Sequence, residues 1–263
     1  MIFFDSPVFC KGRNMLKEKR QELILSQLQN DGIVQVSELS EFLDVTDMTV
    51  RRDLKELEDR NLLVRIHGGA SKIEKARPRE FSNEEKLLKN KNLKIEVAEK
   101  ISTLLMPDQN IYLGAGTTIE YVSEFLADKK LNIFTNSLYL FRKLVLFDNV
   151  NIKLIGGEFR KVTGAFVGAL SLDLVSKMRF NQAFIGVNGI NKGKAYTYSP
   201  EEGILQKLIL DNSFERYLVA DSSKLGYEDL YHFYNIEDAK FITDSKITSD
   251  NKKEIEKYTE IIR

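Results

Sequence analysis

The sequence predicts two domains: an N-terminal winged helix-turn-helix of the α+β class and a C-terminal α/β domain of three layers. Two observations predict them. Residues 16–59 repeat helical apolar spacing three times, and a short apolar strand with a glycine turn follows. From residue 111 onward, short apolar strands alternate with amphipathic helices, which is typical of a mostly parallel sheet with helices on both faces.

Composition is typical of a cytoplasmic globular protein. Hydrophobic residues make up 43% of the 263 residues and charged residues 30%. No apolar run reaches the roughly 18 residues that a membrane span needs, so we expect no membrane partner. The single cysteine, Cys10, excludes an internal disulfide and fits a reducing cytoplasm. There is no Cys/His cluster, so we expect neither a metal nor a cofactor.

Residues 1–14 match nothing that follows them and lack the features of a signal peptide. The stretch KGRNM, which ends at Met15, can be encoded by a nearly all-purine run before an ATG, as a translated ribosome-binding site would be. We therefore expect residues 1–14 to be a non-native or disordered extension, with Met15 as the true start.

The winged domain is predicted over residues 15–70. The first helix covers residues 16–30 and ends at Asp31-Gly32. The second helix runs from Ser37, a plausible cap, to Leu43. Thr46 caps the third helix, which continues to about Asp59. Residues 62–66 form a strand, and His67-Gly68-Gly69 forms the turn that leads out of it.

The third helix carries a polar outer side next to its buried stripe. Two adjacent arginines project about 100 degrees apart, so one can reach a base edge or a phosphate while the other contacts the neighbouring strand. The alternative is a solvated face with ion pairs to Asp53 or Glu56, which the three-helix frame and the wing disfavour. The outer residues, in the half of the helix that enters a major groove, are Met48, Thr49, Arg51, Arg52 and Lys55.

The charge distribution excludes a wholly basic DNA-binding domain. Net charge is zero. Residues 15–70 contain eight Lys and Arg against eleven Asp and Glu, whereas residues 71–94 contain eight against four. Any DNA contact must therefore come from a local patch, helped by the basic stretch after Ala70.

A basic linker is predicted over residues 71–90 and the α/β domain over residues 91–263. A helix begins near Glu84 and continues to Leu105. The predicted strands are 111–113, 132–135, 152–155, 183–187, 216–220 and 240–243. The predicted helices between and after them are 117–126, 138–146, 170–178, 201–210 and 251–262.

Loops at the carboxyl ends of parallel strands are where such a sheet binds ligands. The loop Gly114-Ala115-Gly116-Thr117-Thr118 offers close backbone approach, two hydroxyls and free N–H groups, which together favour a phosphate. The alternative is a tight turn with a threonine cap. The other loops of this edge contribute the polar and glycine residues Thr135, Asn136, Gly156, Gly157, Asn188, Lys192 and Lys224.

Catalytic machinery is not evident in these loops. His232 has no flanking nucleophile elbow, so no Ser-His-Asp set is credible. The run Gly114-Ala115-Gly116 is not a dinucleotide fingerprint, because residue 119 is Ile. The domain therefore looks built to hold an anion.

The motifs VTDMTVRRDLKELEDRNLLVRIHGGA, LGAGTT, TNS, LIGGE, FVG and LVADSSKLG follow in the order found in the DeoR family of bacterial transcriptional regulators, which the chain resembles from Met15 onward. The pattern MTVRRDL…IHGGA…AFVG…NKG is also similar to that of lactose phosphotransferase system repressors. This resemblance implies repression of a carbohydrate operon. It implies a C-terminal domain that resembles ribose-5-phosphate isomerase and binds a phosphorylated sugar.

The resemblance also implies roles for particular residues and partners. The side chains that would face DNA are Thr46, Thr49, Arg51 and Arg52, with Arg65 and His67 in the wing. Residues 114–118 would hold the phosphate, and Asn136, Gly157, Asn188 and Lys224 would line the sugar pocket. The expected partners are operator DNA, a phosphorylated sugar and further copies of the chain in a homodimer or homotetramer.

The sequence departs from the family pattern at two places, and two other functions compete with that of a repressor. Asn61 stands where the family often has Gly, and Asn still tolerates the left-handed conformation of such a helix end. The isomerases carry acidic residues in the loop that matches GVNGI, and this chain has none there. That difference disfavours the rival of a sugar-phosphate isomerase fused to a DNA-binding head. The other rival, a protein-binding module, is disfavoured by the arginine placement.

Overall fold

The computed structural model describes residues 15–60, 62–66, 68–72, 80–126 and 129–262. The expected extension 1–14, together with Asn61 and His67, lies outside the described residues. The chain divides into two compact units between Arg79 and Glu80, called here the N-terminal unit and the C-terminal unit. None of the described helices is both long and apolar enough to cross a membrane.

The N-terminal unit packs three helices against a small antiparallel sheet of order β1-β3-β2. Its elements are α1 (Lys17–Asp31), β1 (Ile33–Gln35), α2 (Val36–Leu43), α3 (Asp47–Asp59), β2 (Val64–Ile66) and β3 (Gly69–Ser71). The apolar stripes of the helices meet in one core, which includes Ile24, Leu39, Val50, Leu54 and Leu57. The predicted winged helix-turn-helix is thus confirmed.

The start of α2 differs from the prediction. Ser37 does not cap it, because the helix already begins at Val36 and the cap position, Gln35, makes no side-chain bond. β1 runs directly into α2, and the amide of Val36 donates to the carbonyl of Gly68 at 2.8 Å. A wing carbonyl therefore takes the place of the expected serine.

The C-terminal unit is built on a seven-stranded sheet of order β15-β14-β12-β9-β4-β5-β6, in which every pairing is parallel. The strands are β4 (Asn110–Leu113), β5 (Leu131–Thr135), β6 (Val150–Leu154), β9 (Phe180–Gly186), β12 (Ser213–Val219), β14 (Lys240–Ile242) and β15 (Ile261–Ile262). Five further strands form two small antiparallel sheets: β7 (Glu158–Arg160), β8 (Ala165–Val167), β10 (Gly189–Asn191), β11 (Lys194–Thr197) and β13 (Tyr231–Asn235).

Helices cover both faces of this sheet. They are α4 (Asn83–Leu87), α5 (Lys91–Leu104), α6 (Thr117–Glu120), α7 (Leu138–Leu144), α8 (Ala169–Ser176), α9 (Pro200–Asp211) and α10 (Ser249–Glu256). Alternate residues of β4 enter two separate apolar clusters, Tyr112 in one and Ile111 and Leu113 in the other. The central strand is therefore buried on both faces, which gives the three layers expected of a parallel sheet.

Three predicted helices differ from the structure. The helix expected from Glu84 to Leu105 is interrupted at Asn90, which takes the left-handed conformation at φ 53°, so that α4 and α5 are separate. The helix expected over 117–126 is one α turn followed by a 3-10 turn, Tyr121–Phe125. The closing helix ends at Glu256, and β15 then pairs in parallel with β14.

Candidate DNA-binding face and effector site

Helix α3 is oriented by its cap and its buried stripe. The Thr46 side chain accepts a hydrogen bond from the amide of Thr49 at 3.3 Å, as expected for an N-cap. Val50, Leu54 and Leu57 are each at most 1% exposed. The opposite side of α3 therefore faces away from the core of the unit, and Met48, at 76% exposed, lies on it.

The two arginines of α3 are exposed and have different neighbours. Arg52 Nε lies 3.9 Å from Glu56 Oε1, which is a loose contact for an exposed pair. Asp53 is buried and is bound by Arg20, whose Nη2 donates to Asp53 Oδ1 at 3.0 Å. An ion pair from the arginines to Asp53, one part of the solvated-face alternative, is therefore absent. Arg51 forms no ion pair with any described carboxylate.

The wing is held close to β1 by a glycine. A Cβ on Gly69 would lie 2.0 Å from the carbonyl oxygen of Val34, so no side chain fits there. Arg65 is exposed on β2, and its amide donates to Glu58 Oε1 at 3.1 Å, which ties the wing to the end of α3. Thr46, Lys55 and Arg65 are thus all on the exposed surface of this unit.

In the C-terminal unit, the central strands β4 and β9 are neighbours whose continuations diverge. The chain leaves β4 toward β5, and it leaves β9 toward β12. Ligands bind at such a switch point in open α/β sheets. The loops that follow the two strands approach backbone to backbone, because a Cβ on Gly186 would lie 3.7 Å from the carbonyl oxygen of Ala115.

The loop that contains Gly114, Ala115, Gly116, Thr117 and Thr118 lies at this point. Thr117 and Thr118 are 7% and 8% exposed, and Gly116 has a φ of 154°, which favours glycine. The first i to i−4 bond of α6 runs from Glu120 N to Gly116 O, so the amides before it have no partner of this type within the helix. Since α6 is a single turn, its dipole is small, and binding an anion here needs side-chain cations.

Three lysines supply positive charge at the same edge, and we call Lys86, Lys94 and Lys224 the lysine cluster. Lys94 is 3% exposed and donates to the carbonyl of Lys86. Burial lowers the pKa of Lys94 to about 8, and the charges of Lys224 and Lys86 lower it as well, against the attraction of Asp221. Burial, followed by the charge of Lys224, also lowers the pKa of Lys86.

The lysine cluster has no ion-pair partner among the described carboxylates. Lys86 Nζ instead donates to the amide oxygen of Asn188, at 3.4 Å. Ammonium groups that lower one another's pKa are stabilised when an anion lies between them. The cluster is therefore a candidate site for an anion.

The segment of residues 80–94, called here the crossing segment, connects the ends of several strands. Asn83 Nδ2 donates to Glu120 Oε1 at 2.5 Å, beside the loop that follows β4. Asn90 Nδ2 donates to Asp221 Oδ1 at 3.2 Å and to Ser223 Oγ at 2.9 Å, after β12. Together with the bond from Lys86 to Asn188, these contacts place the crossing segment over the carboxyl ends of β4, β9 and β12.

Carboxylates also reach this edge, from parts of the chain distant in sequence. Asn188 Nδ2 donates to Asp229 Oδ2 at 2.8 Å. Arg160 binds Glu80 with two bonds, at 3.0 and 2.8 Å, and binds Glu202 at 2.6 Å. The charges of Glu202, Glu80 and Asp229 all raise the pKa of Lys86 against the effect of its burial.

Four other residues of the predicted site act mainly in shaping its loops. Thr135 is fully buried and accepts from Ser137 N at 3.0 Å. Asn136 Oδ1 accepts from Ala115 N at 3.2 Å, and so fixes the loop after β4. Gly156 accepts from Ser171 Oγ at 2.7 Å, and a Cβ on Gly157 would lie 2.2 Å from the same oxygen.

Lys192 is not brought to this edge. It lies exposed in the turn between β10 and β11, with a φ of 46°. The next residue, Gly193, accepts from Ile236 N at 3.0 Å and closely approaches the Tyr258 ring. Ile236 and Tyr258 precede β14 and β15, so the turn lies by the amino ends of those strands. The chain turns back along β10, a strand the sequence did not predict.

Five further residues lie at this edge that the sequence did not single out: Lys86, Lys94, Arg160, Glu202 and Asp229. The two lysines belong to the basic stretch after Ala70, where the excess of positive charge was the available signal. No local pattern marks the other three residues. Among the residues that the structure describes, no group of three His, Cys, Asp or Glu side chains is arranged to hold a metal ion.

Two family models match the chain. The model of the DeoR-like helix-turn-helix domain matches residues 20–76. The model of the DeoR C terminal sensor domain matches residues 89–245. Both units of the structure are therefore matched, in the order that the motifs predict.

Several similar proteins carry the name lactose phosphotransferase system repressor. That of Lactococcus lactis subsp. lactis is 37% identical over 95% of this chain and 99% of its own length. That of Streptococcus mutans serotype c is 38% identical over 94% and 100%. That of Staphylococcus aureus strain NCTC 8325 is 34% identical over 94% and 100%.

Solved structures give a weaker likeness. A ribose 5-phosphate isomerase from Neisseria gonorrhoeae covers 50% of this chain and 52% of its own, with TM-score 0.36 and 20% identity. One from Methanocaldococcus jannaschii covers 52% and 55%, with TM-score 0.39 and 16% identity. These scores carry no argument about activity. The family models and the full-length relatives together show that the chain belongs to the DeoR family of bacterial transcriptional regulators.

Proposed function

We propose that this protein is a cytoplasmic repressor of a carbohydrate operon, controlled by a phosphorylated sugar bound to its C-terminal unit. The observation that carries the proposal is the lysine cluster, which lies at the carboxyl ends of the central strands and has no ion-pair partner among the described carboxylates. A sugar operon is favoured because the relatives are named as repressors of a lactose phosphotransferase system.

The operator-binding surface is the outer side of α3 together with the wing. Arg51 and Arg52 reach base edges or phosphates, and Lys55 binds a phosphate. Thr46, Met48 and Thr49 approach the groove at the N-terminal end of the helix. In the wing, Arg65 contacts the DNA backbone. The family resemblance places His67 in the wing as well, facing DNA.

The effector site combines charge from the lysine cluster with shape from the glycine loop. The phosphate lies against the amides and hydroxyls of residues 114–118, where Gly114, Ala115 and Gly116 permit close approach. Asn188 and Asp229 bind hydroxyl groups of the sugar. The residues that position these loops are Thr135, Asn136, Gly156 and Gly157.

Regulation follows from a difference in affinity. A sugar phosphate changes operator binding only to the extent that it binds one conformation of the repressor better than another. By family resemblance the repressor acts as a homodimer or homotetramer that joins through its C-terminal units.

The test is fluorescence anisotropy on labelled DNA from upstream of the protein's own operon. The protein is titrated first alone, and then with ribose 5-phosphate, hexose 6-phosphates and the matching free sugars. We expect tight binding that one phosphorylated sugar changes and its free sugar does not. The Lys224→Met variant should keep operator binding and lose that change. Absence of sequence-selective binding would contradict the repressor function.

Isomerase activity is not proposed, although carboxylates do reach the site. Glu202 is bound to Arg160 and Asp229 to Asn188, so neither is positioned as a free base. We expect the full-length protein not to convert ribose 5-phosphate to ribulose 5-phosphate in a coupled assay. Turnover that the Glu202→Gln variant lacks would establish the enzyme instead.

A further inference from the structure

Arg160 joins the beginning of the crossing segment to the body of the C-terminal unit. Its guanidinium binds both oxygens of Glu80 and also one oxygen of Glu202. The three side chains are largely buried, at 22% exposed for Arg160 and 10% for each glutamate. Thr163 adds a hydrogen bond to Glu202. Glu80 directly follows the part of the chain that comes from the N-terminal unit.

The two glutamates differ in how firmly they are held. Glu202 lies in the first turn of α9, where its amide donates to the Ser199 side chain at 3.3 Å. Glu80 lies in a stretch without helix or strand before α4. Further along the backbone, Asn83 N donates to Val162 O at 2.9 Å. If the ion pairs of Arg160 are weakened, Glu80 is therefore the side chain that separates from it.

Arg160 and its two glutamates also contribute to the charge balance around Lys86. One guanidinium between two carboxylates leaves an excess of negative charge. That charge acts on Lys86, since both Glu202 and Glu80 favour its protonated form. Without a bound anion, Glu80 and Glu202 are thus part of the countercharge of the lysine cluster.

A phosphate dianion would replace that countercharge. It attracts Lys86 directly and repels Glu80 and Glu202, so it weakens the hold on the less constrained glutamate. We propose that the ion pair between Glu80 and Arg160 is the link through which an anion at the lysine cluster changes operator affinity. Arg160 acts as a positioning residue in this link. The inference rests on the proposed function and names its regulatory contact.

The variant Glu80→Gln tests the link, because it removes one carboxylate and leaves Arg160 paired with Glu202. Operator affinity is measured by anisotropy with and without the sugar phosphate that affects the wild-type protein most, and with inorganic phosphate as the smallest probe. Couplings between sites are typically about 5–150-fold. We expect the variant to respond by less than about twofold. Its operator affinity without ligand should move toward the wild-type value at saturating ligand.

Reciprocity gives a second readout that a merely structural role would not produce. If the broken link favours the anion-bound conformation, Glu80→Gln should bind the sugar phosphate more tightly in calorimetry than the wild type does. Arg160→Lys, which keeps the charge but loses the paired geometry, should shift both affinities in the same directions. Glu84→Gln is the matched control, since Glu84 is an exposed carboxylate four residues further along the crossing segment, in α4.

The outcomes separate this inference from the proposed function. A wild-type response that Glu80→Gln and Arg160→Lys both retain in full overturns the link and leaves the repressor intact. Equal losses in Glu84→Gln and Glu80→Gln also overturn it. A wild-type protein that binds operator but responds to no phosphate compound overturns both. Thermal unfolding of each variant identifies any loss that comes from misfolding.

Discussion

The two neighbouring arginines of α3, Arg51 and Arg52, have different contacts and can therefore have different roles in DNA binding. Arg52 has a carboxylate of Glu56 within 3.9 Å, whereas Arg51 has no ion pair with a described residue. If Arg51 reads a base, Arg51→Ala should lose about 1–3 kcal/mol of discrimination between the operator and a point-mutated operator. Anisotropy on the two DNAs measures this. Arg142→Ala, an exposed arginine of α7, is the control, and a uniform loss on both DNAs would make Arg51 a phosphate contact.

Lys55 is expected to bind a phosphate and to carry no sequence information. Lys55→Gln should weaken binding to all sequences alike. It should also make the plot of log K against log salt concentration less steep, by about 1 for each N-terminal unit bound to DNA, because each releases one fewer counterion. Anisotropy titrations over a series of salt concentrations give that slope. An unchanged slope would place Lys55 away from the DNA.

Lys94 predicts how the effector site depends on pH. Since its pKa is lowered to about 8, it becomes neutral as the pH rises above that value. A bound anion favours the ammonium form, so binding takes up a proton and weakens as pH rises. Calorimetry from roughly pH 7 to 9.5 should show this fall, because the phosphate is already a dianion there. Lys94→Gln should bind the anion more weakly and show a smaller fall with pH than the wild type, because Lys86, whose pKa is also lowered, remains.

Individual residues were predictable where their role is local. The Thr46 cap depends on a bond between two residues only three positions apart, so the sequence indicates it. Lys94 was missed because the burial that lowers its pKa comes from packing against segments far away in sequence. Lys192 was assigned to the pocket because it follows β9 closely, and only the unpredicted turn back along β10 removes it.

At the scale of elements, the wing depends on a close approach of two strands. A methyl group on Gly69 would collide with the carbonyl oxygen of Val34. Because this atom belongs to the backbone, it cannot move aside as the end of a flexible side chain could. Gly69→Ala should therefore cost about 1–3 kcal/mol of stability, and more if β1 separates from β3. Urea unfolding followed by circular dichroism measures the loss. Gly156→Ala is the control, since its Cβ would meet nothing within 4 Å; equal stability of the two variants would contradict this account.

The long periodic helices were predicted, whereas the strands of the two small antiparallel sheets in the C-terminal unit were not. The helices α1, α3 and α9 carry several turns of apolar spacing, and their predicted positions agree closely with the structure. Strands β7, β8 and β10 have three residues each, too few for a pattern. The break at Asn90 was missed because it depends on one residue that accepts a left-handed conformation inside a continuous apolar pattern.

For the whole molecule, coupling between operator and effector has to be reciprocal. If a sugar phosphate changes operator affinity by some factor, saturating operator DNA must change the affinity for that sugar phosphate by the same factor. Calorimetry of the sugar phosphate with and without bound operator tests this. Unequal factors would show that the compound acts through a linked change, such as assembly, that one of the two titrations omits.

The position of β4 and β9 in the chain also determines when, during synthesis, the protein can first respond to an effector. The described elements of the N-terminal unit end at Ser71, and their contacts are local, so this unit folds early as the chain emerges. The proposed effector site needs β4, which ends at Leu113, to lie beside β9, which begins at Phe180. It also needs Lys224, which is synthesised still later. A nascent chain is therefore expected to carry a folded operator-binding surface before it has anything with which to sense a sugar.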